Sequence, residues 1–440
     1  MKIRPGRTLV CIAVALLLPA CLAFYWPNAA WLPVLALPPL LVLIALDHRS
    51  LRAGFQQVRV ERTLPPATGR NVAFRVELRI SNAGRRPRVG TLRDAVPAAA
   101  VPAWHAAPFV LPGGGGVKIA AEFRIPQRGE FQFGPVWVRL AGWFGLLEAQ
   151  LAFDCTGRVR VLPEGFSGSE TFRHNAQAEM ILLDKASRAR QVGAGTEFEM
   201  LSEFRPGDDP RRIDWKSTAR RRAPVVRRFK IERHRDVMLV IDCGRLMGAD
   251  AGRGSKLDCA VDAALMLCRT ALAGGDRCGA ALFDDHVLGF LPPVSGPRAL
   301  RTIVDSVYNV QSRWRESDFG LMFATLQARQ TRRALIVVLS DIVDAETTQR
   351  FRTSLATLAR RHIVLFAGLQ SPELRQIVSK PAVSLRAGAE MAVAFRLLRE
   401  REAALHALNR SGVQVLDVEP GQLTVPLINR FLEVRRQNRL

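Results

Sequence analysis

From Val237 to Cys243 the chain reads VMLVIDC, an apolar run that ends by delivering Asp242. A strand that apolar is buried on both faces, which is the signature of a mainly parallel sheet. The same rhythm continues beyond it. Helical patterns at Lys256 to Ala273, Arg298 to Val310, Phe319 to Arg329, Glu346 to Arg361 and Met391 to Arg410 alternate with CGAALFDD, RALIVVLSD, HIVLFAGL and VQVLDV. Strands alternating with helices predict a doubly wound α/β domain over residues 236–440. Ligands of such sheets sit beyond the carboxyl ends of the strands. Asp242 and Asp341 both fall there, and two carboxylates at neighbouring strand ends are oxygen ligands of the kind magnesium accepts.

Just upstream, residues 195–220 read GTEFEMLSEFRPGDDPRRIDWKSTAR. Pro206-Gly207 and Asp209-Pro210 each force a turn, so this is a shaped loop and not one helix. Asp209 is suited to accept free amides and Pro210 to open a helix, which predicts a short helix from about Pro210 to Arg220, anchored by Ile213 and Trp215. Asp208, Asp209 and Asp214 have the composition of paired catalytic carboxylates, but no His stands near them and Asp-Pro turns favour capping. The alternating VVRRFKIER that follows predicts an edge strand.

The G-x-E-F element with Glu197 and Phe198, R-P-G-D-D with Pro206, Gly207, Asp208 and Asp209, R-x-I-D-W with Arg211, Asp214 and Trp215, and the A-R pair ending at Arg220 resemble a bacterial domain-of-unknown-function family, number 58. The resemblance extends upstream to Arg128, Gly129, Phe131, Gly134, Pro135, Phe144, Gly145 and Leu146, with Gly142 and Trp143 standing where an Asp-Pro pair usually precedes that Phe. The α/β half resembles a von Willebrand factor type A domain, which builds a metal-ion-dependent adhesion site from D-x-S-x-S, a Thr and a later Asp. Matched by position, Asp242 is the first acid, Ser317 stands for the Thr and Asp341 is the later acid. Gly244 and Leu246 replace the two serines and carry no side-chain oxygen. That resemblance therefore implies no tight metal, with a weakly held magnesium at most on Asp242, Ser317 and Asp341. Arg245 is placed to neutralise Asp242 or Asp341 in its stead; alternatively Asp242 simply caps a loop.

Length and charge set independent bounds. A chain of 440 residues exceeds one hydrophobic core. The net charge of +23 comes almost wholly from Arg, since the chain has seven Lys, and favours anionic lipid, nucleic acid or an acidic protein without choosing among them. The seven cysteines include no C-x-x-C pair, a pattern of reduced thiols and not of a disulfide framework or zinc ribbon.

No charged residue occurs from Thr8 to Leu46, and FYWPNAAW splits the interval into two apolar runs. Each as a helix matches a bilayer core of roughly 30 Å. Lys2, Arg4 and Arg7 precede the first run, and Arg49, Arg52, Arg59 and Arg62 follow the second. Positive-inside logic then places both ends of a transmembrane hairpin, residues 1–50, in the cytoplasm of a bacterial inner membrane. A cleaved signal peptide is the competing reading, and LPAC at Leu18 to Cys21 has some likeness to a lipoprotein site, but a second apolar run with a basic flank would remain.

Period-two alternation begins at Val72, Phe74, Val76, Leu78 and Ile80. Further short runs at Phe109 to Leu111, Val117 to Ile125, Glu130 to Phe133, Val136 to Leu140 and Arg158 to Leu162, broken by PGGGG and PQRG, predict an all-β sandwich over residues 55–165. The family segment then occupies residues 166–235. GGGG at 113–116 lacks the Lys and Ser or Thr of a phosphate loop. FDDH at 283–286 has the residues of a metal cluster but reads better as a hairpin turn, and RRR at 220–222 as a solvated face.

No nucleophile and base arrangement emerges from spacing, so the expectation is a non-enzymatic role. Members of the resembled family are associated with MoxR-type AAA+ ATPases. The resemblance thus implies a membrane adaptor or scaffold for such an ATPase or its client, using the face around Asp242, Ser317 and Asp341. A metal-dependent hydrolase or nuclease, and an electrostatic nucleic-acid binder, are the rival classes, and neither has a supporting motif.

Overall fold

A computed structural model describes the chain except residues 23–30, 104–105, 165–196, 206–207, 209, 222, 231–234, 253, 342–344 and 438–440. It divides into two compact units, residues 1–162 and 163–440.

The first unit opens with β1 (Lys2–Pro5), α1 (Arg7–Leu22) and α2 (Trp31–Gln57). Ten strands follow: β2 (Val58–Thr63), β3 (Ala67–Gly69), β4 (Phe74–Asn82), β5 (Arg88–Asp94), β6 (Ala107–Leu111), β7 (Gly116–Phe123), β8 (Gly129–Phe133), β9 (Val136–Ala141), β10 (Leu147–Phe153) and β11 (Gly157–Leu162). They form three sheets, ordered β1-β10-β9-β5-β6, β3-β11-β8 and β2-β4-β7. The alternation read in β4 is real, with Phe74, Val76, Leu78 and Ile80 inward and Arg75 and Arg79 outward.

Among the described residues one helix, Val34–Gln57, is long and apolar enough to cross a membrane, while Arg7–Pro19 is a shorter apolar helix. The long helix changes character at Asp47. Before it, Leu35, Leu41 and Val42 are exposed; after it, Leu51 and Phe55 join the core beneath β4, β5 and β9. Asp47 is fully buried and accepts hydrogen bonds from the Phe144 and Leu147 amides at 2.9 Å each, while Ser50 Oγ accepts from the Trp143 amide at 3.3 Å. The glycine at 142 now has a reason, because a Cβ there would lie 2.2 Å from the Asp47 carboxyl. At the same end of the helical pair, β1 runs antiparallel to β10 from Lys2 opposite Gln150 to Pro5 opposite Leu147. Residues 2–5 thus form a strand, and the helical pair belongs to the same compact unit as the strands that follow it.

In the second unit β12 (Glu197–Glu203) and β13 (Val225–Lys230) pair into a two-stranded ribbon that carries α3 (Trp215–Arg221) between them. The strand read in VVRRFKIER pairs with β12 in a sheet of two strands. The large sheet takes β14 (Asp236–Asp242), β15 (Arg277–Phe283), β16 (Val287–Val294), β17 (Ala334–Ser340), β18 (Ile363–Leu369) and β19 (Gln414–Val418) in the order β16-β15-β14-β17-β18-β19, parallel except for β16. Its helices are α4 (Lys256–Ala273), α5 (Pro297–Val307), α6 (Phe319–Arg329), α7 (Ala345–Arg361), α8 (Pro372–Ser379), α9 (Leu385–Arg410) and α10 (Thr424–Arg436).

Met238, Val240, Ile336 and Val338 pack against Phe319, Phe323, Phe351, Leu355 and Leu408 from α6, α7 and α9. The intervening Val237, Leu239 and Ile241 are equally buried, and α4 packs along β14, β15 and β17. Two covered faces explain why these strands show no alternation. A Ser255–Asp258 capping box fixes where α4 starts, and so where Lys256 sits.

The Asp47 carboxylate accepts from two amides of the 142–147 turn, and a buried group stripped of its partner costs about 1–3 kcal/mol. Asp47→Ala is expected to lower protection of the Phe144 and Leu147 amides in hydrogen exchange by about 2–4 kcal/mol of opening free energy; unchanged protection would contradict this role.

Candidate functional site

β14 ends at Asp242, β17 at Ser340 with Asp341 following, and these strands are neighbours, so the sheet itself brings the two acids together. The third component comes from the loop before α6. Phe319 lies edge-on to Phe283 and Phe351 at centroid separations of 5.3 and 4.6 Å, and Asp318 caps α6 through the Leu321 amide at 2.9 Å. Backbone bonds pin the rest of that loop across the strand ends, from the Arg313 amide to Cys243 O at 2.9 Å, Arg245 to Arg315 O at 2.9 Å and Asp318 to Asp284 O at 2.8 Å. Ser317 is thereby held with its hydroxyl donating to Asp242.

Asp242 also accepts from Ser340 Oγ at 2.5 Å and from the Gly244 amide at 2.8 Å. Burial drives its carboxyl above the ordinary range, against the pull of those donors. The absence of a serine at 244 follows from the packing: a Cβ there would lie 2.1 Å from Ser317 Oγ, so Ser317 occupies the space a side chain would need.

Asp341 is treated differently. Its carboxylate is flanked by Lys256 Nζ at 2.5 Å and by the Arg401 guanidinium, all three side chains being buried. Lys256 also donates to Ser371 Oγ at 2.6 Å, and Arg401 reaches Asp417 at 2.8 Å, which in turn accepts from Gln370 Nε2 at 2.8 Å. Burial works against the charge on Arg401, yet Asp341 and Asp417 hold its pKa above the usual value. The expected guanidinium is thus a different one. Arg245 is turned outward to Glu316 at 3.1 Å, because the short turn at 245–248 leads it away from the buried acids.

Asp242, Ser317 and Asp341 do not suit a magnesium ion in this arrangement. Both Asp341 oxygens are engaged by cations, and the Asp242 oxygens by hydroxyl and amide donors. The triad at Asp284, Asp285 and His286 has ligand atoms within 4.8 Å of one another. It forms the β15–β16 hairpin turn, as its sequence reads, with the Asp284 amide donating to His286 O at 3.0 Å. Arg315 pairs with Asp285 and, together with His286, holds that carboxyl well below the usual range.

The ribbon carries the remaining residues. Glu197 and Phe198 lie on β12 opposite Lys230 and Phe229. Asp208 accepts from the Arg205 amide at 2.9 Å, and Asp214 caps α3 through the Ser217 amide at 3.0 Å while accepting from Arg227 Nε at 2.8 Å. Those bonds, the Ser217 amide first, hold Asp214 below the usual carboxylate range. Asp208 and Asp214 thus serve turn and cap. Arg211 and Arg220 are exposed, and Pro206, Gly207 and Asp209 lie outside the described residues. Trp215 does not anchor the helix: it is 71% exposed, while the backbone of Ile213 bridges to Val226 and the Asp214 amide donates to Val225 O at 2.8 Å.

The end of β12, the rest of this ribbon and most of the sheet fall within a match to one sequence family. Residues 201–413 match the family described as Protein of unknown function DUF58. The DUF58 match covers the turn, the short helix and β14 to β18, and stops short of β19 and of the upstream elements around Arg128. Uncharacterized proteins of Mycobacterium bovis and Mycobacterium tuberculosis are 28% identical over 182 residues, 41% of this chain and 56% of theirs. The chain thus spans 56% of the length of the curated relatives it matches. Among solved structures, proximal thread matrix protein 1 of the mussel byssus aligns over 46% of each chain at 9% identity and a TM-score of 0.29. An uncharacterized membrane spanning protein from Vibrio fischeri aligns over 46% of this chain and 99% of its own at 16% identity and a TM-score of 0.17.

Lys256, Ser340, Ser371, Arg401 and Asp417 were not legible as site residues, since Arg401 in LLRERE has the pattern of a solvated helix face. Removing one member of a buried ion pair typically costs about 3–5 kcal/mol, so Arg401→Met is expected to lower unfolding stability by that order in urea denaturation; a loss near zero would count against the network. The sign for Asp242 runs the other way from a salt-bridged acid. The folded chain holds that proton after the unfolded chain has released it, so stability is greatest below the ordinary carboxyl range and falls as pH rises through the elevated pKa. Asp242→Asn is expected to flatten that part of the stability profile.

Proposed function

We propose that the chain is a non-enzymatic, inner-membrane-anchored adaptor or scaffold. In this reading the six-stranded unit is a von Willebrand factor type A-like domain, and its degenerate adhesion-site face binds a MoxR-type AAA+ ATPase or that ATPase's client. The observation that carries it is the Asp341 network: Lys256 and Arg401 stand beside the acid where an adhesion site would place a divalent ion. Side-chain cations that cannot be exchanged suit a permanent recognition surface and leave no water-activating centre.

Around this buried core the outer surface supplies contact groups. Trp314 is 95% exposed on the loop that backbone bonds pin to the strand ends, with the partly exposed Arg313 and Arg315 beside it and Arg245 on the adjoining turn. Trp and Arg on a rigid support are the commonest anchors of protein interfaces, because little entropy is lost when they dock. The apolar part of α2 supports anchoring in a bilayer, and the pairing of β1 with β10 supports a hairpin whose two ends share one side. The basic residues at both ends favour the cytoplasm as that side. Tethering then raises the local concentration of the face for a cytoplasmic partner.

The test is the affinity of the detergent-purified full chain for a nucleotide-free MoxR-type ATPase, with magnesium and with EDTA. Binding is expected to be indifferent to magnesium and to weaken by at least about tenfold in Trp314→Ala. Absence of binding, or binding that EDTA abolishes, would refute the proposal, as would periplasmic exposure of a reporter fused to the carboxyl terminus.

A further inference from the structure

The turn at residues 142–146 sits where the two apolar helices meet the strands of the first unit. α2 holds it through Asp47 and Ser50, and α1 through the Gly6 amide, which donates to Leu146 O at 2.7 Å, and the Thr8 hydroxyl, which donates to Gly145 O. Its two aromatic side chains are nonetheless half exposed, Trp143 at 46% and Phe144 at 47%. The Phe144 amide bonds to Asp47, next to the exposed Leu46 that ends the apolar face of α2, and the Trp143 amide bonds to Ser50 about one turn further on. Two guanidiniums lie over that indole, with Arg86 Cζ 4.1 Å and Arg88 Cζ 5.6 Å from the ring centroid. Arg88 packs against α2, since a Cβ at Gly54 would lie 3.1 Å from its Cζ. The order along α2 is therefore apolar face, Phe, Trp and then two cations. Arg88 is 4% exposed, and its Nε and Nη1 have no hydrogen-bond partner among the described residues. Burial first, and then the neighbouring Arg86, hold its pKa below the ordinary guanidinium value, while Asp47 acts the other way through space. A buried cation with a second cation beside it is an environment that an anion stabilises.

We propose that Arg86, Arg88 and Trp143 form a site for the phosphate headgroup of an acidic phospholipid, with Phe144 against its acyl chains. A guanidinium can stack on an aromatic ring and still offer N–H donors to a phosphate, so the indole and the anion do not compete for the same cations. The occupant is a lipid because the site continues the exposed apolar face of α2, from Leu35, Leu41 and Val42 through Leu46 to Phe144. A soluble anion would meet the cations and leave both aromatics bare. Indole has an apolar body and one N–H, the combination that partitions to membrane interfaces. Charge selects an acidic headgroup, since a zwitterionic one would bring its own cation towards two guanidiniums. All of these residues lie in the first unit, and the assignment rests on the part of the proposed function that reads α2 as a membrane span.

The experiment places the full chain in nanodiscs of phosphatidylcholine with a minor share of phosphatidylglycerol, carrying p-benzoylphenylalanine at position 144 or, on the exposed face of α2, at position 41. Illumination is expected to attach lipid at both positions, with the bulk composition at 41 and phosphatidylglycerol enriched about fivefold over its bulk share at 144. Arg86→Gln, which alters an exposed side chain, and Arg88→Gln are each expected to return position 144 towards the bulk composition while adducts at 41 stay unchanged. Bulk composition at 144 in the unaltered chain, or enrichment that survives both substitutions, would overturn the site. Enrichment that millimolar inorganic phosphate erases would assign it to a free anion and overturn the lipid. Adducts at 41 with none at 144 would remove the lipid site and leave the span; no adducts at either position would remove the span, and this site with it.

Discussion

A carboxylate withdrawn from water at the end of β17 is the constraint around which the second unit is arranged. Asp341 is buried at the junction of β17 with the loop that follows, where an uncompensated charge would cost several kcal/mol. Lys256 and Arg401 come to it from the first turn of α4 and the middle of α9, helices separated in sequence by more of the fold than any local rule could bridge. The pairing ties both helices to the same strand end. Asp417 and Ser371 then extend the ties to β19 and α8. One buried acid thus fixes how the carboxyl edge of the sheet is closed, and the exposed groups of that edge inherit their rigidity from it.

The first unit uses the same device for a different purpose. Asp47 ends the apolar part of α2 and binds the amides of the 142–147 turn, so the helix leaves a lipid-compatible run and enters a folded β unit within a single turn. A charge at that point would be a defect in a membrane helix. Here it is the joint. Together with β1, it makes the base of the helical pair part of a sheet, so any swing of the helices strains the strands that hold them.

What could be read from sequence divides along physical lines. Burial on both faces of a strand leaves a continuous apolar run, so β14, β15, β17 and β18 are legible, and Ser255 and Asp318 cap the starts of α4 and α6. β5 and β10 were missed because residues such as Gly90, Arg93, Glu148 and Gln150 dilute their alternation. β1 is four residues long and takes its partner from the far end of the unit. At the site, Asp242 and Asp341 announce themselves as acids after apolar runs. Lys256 and Arg401 do not, for a basic residue on a helix is almost always solvated, and only the third dimension shows these two turned inward. The same blindness misassigned Arg245, which is near Asp242 in sequence yet faces Glu316, and Trp215, whose size suggested an anchor but whose indole is exposed.

The residues around Asp242 are coupled to one another through packing. Gly244 is small because Ser317 stands where its Cβ would be, and Ser317 stands there because Asp318 and Phe319 lock the start of α6. Its hydroxyl and that of Ser340 then donate to Asp242, filling with neutral donors the positions from which the carboxylate would otherwise seek a cation. Lys256 and Arg401 do the same for Asp341 with charge. A side chain placed at 244 would therefore displace Ser317 and break its hydrogen bond to Asp242. Replacing Lys256 alone would leave a buried acid facing a guanidinium it already binds. The carboxylate oxygens of Asp242 and Asp341 are thus shared among donors from Gly244, Lys256, Ser317, Ser340 and Arg401, so no single substitution frees them all.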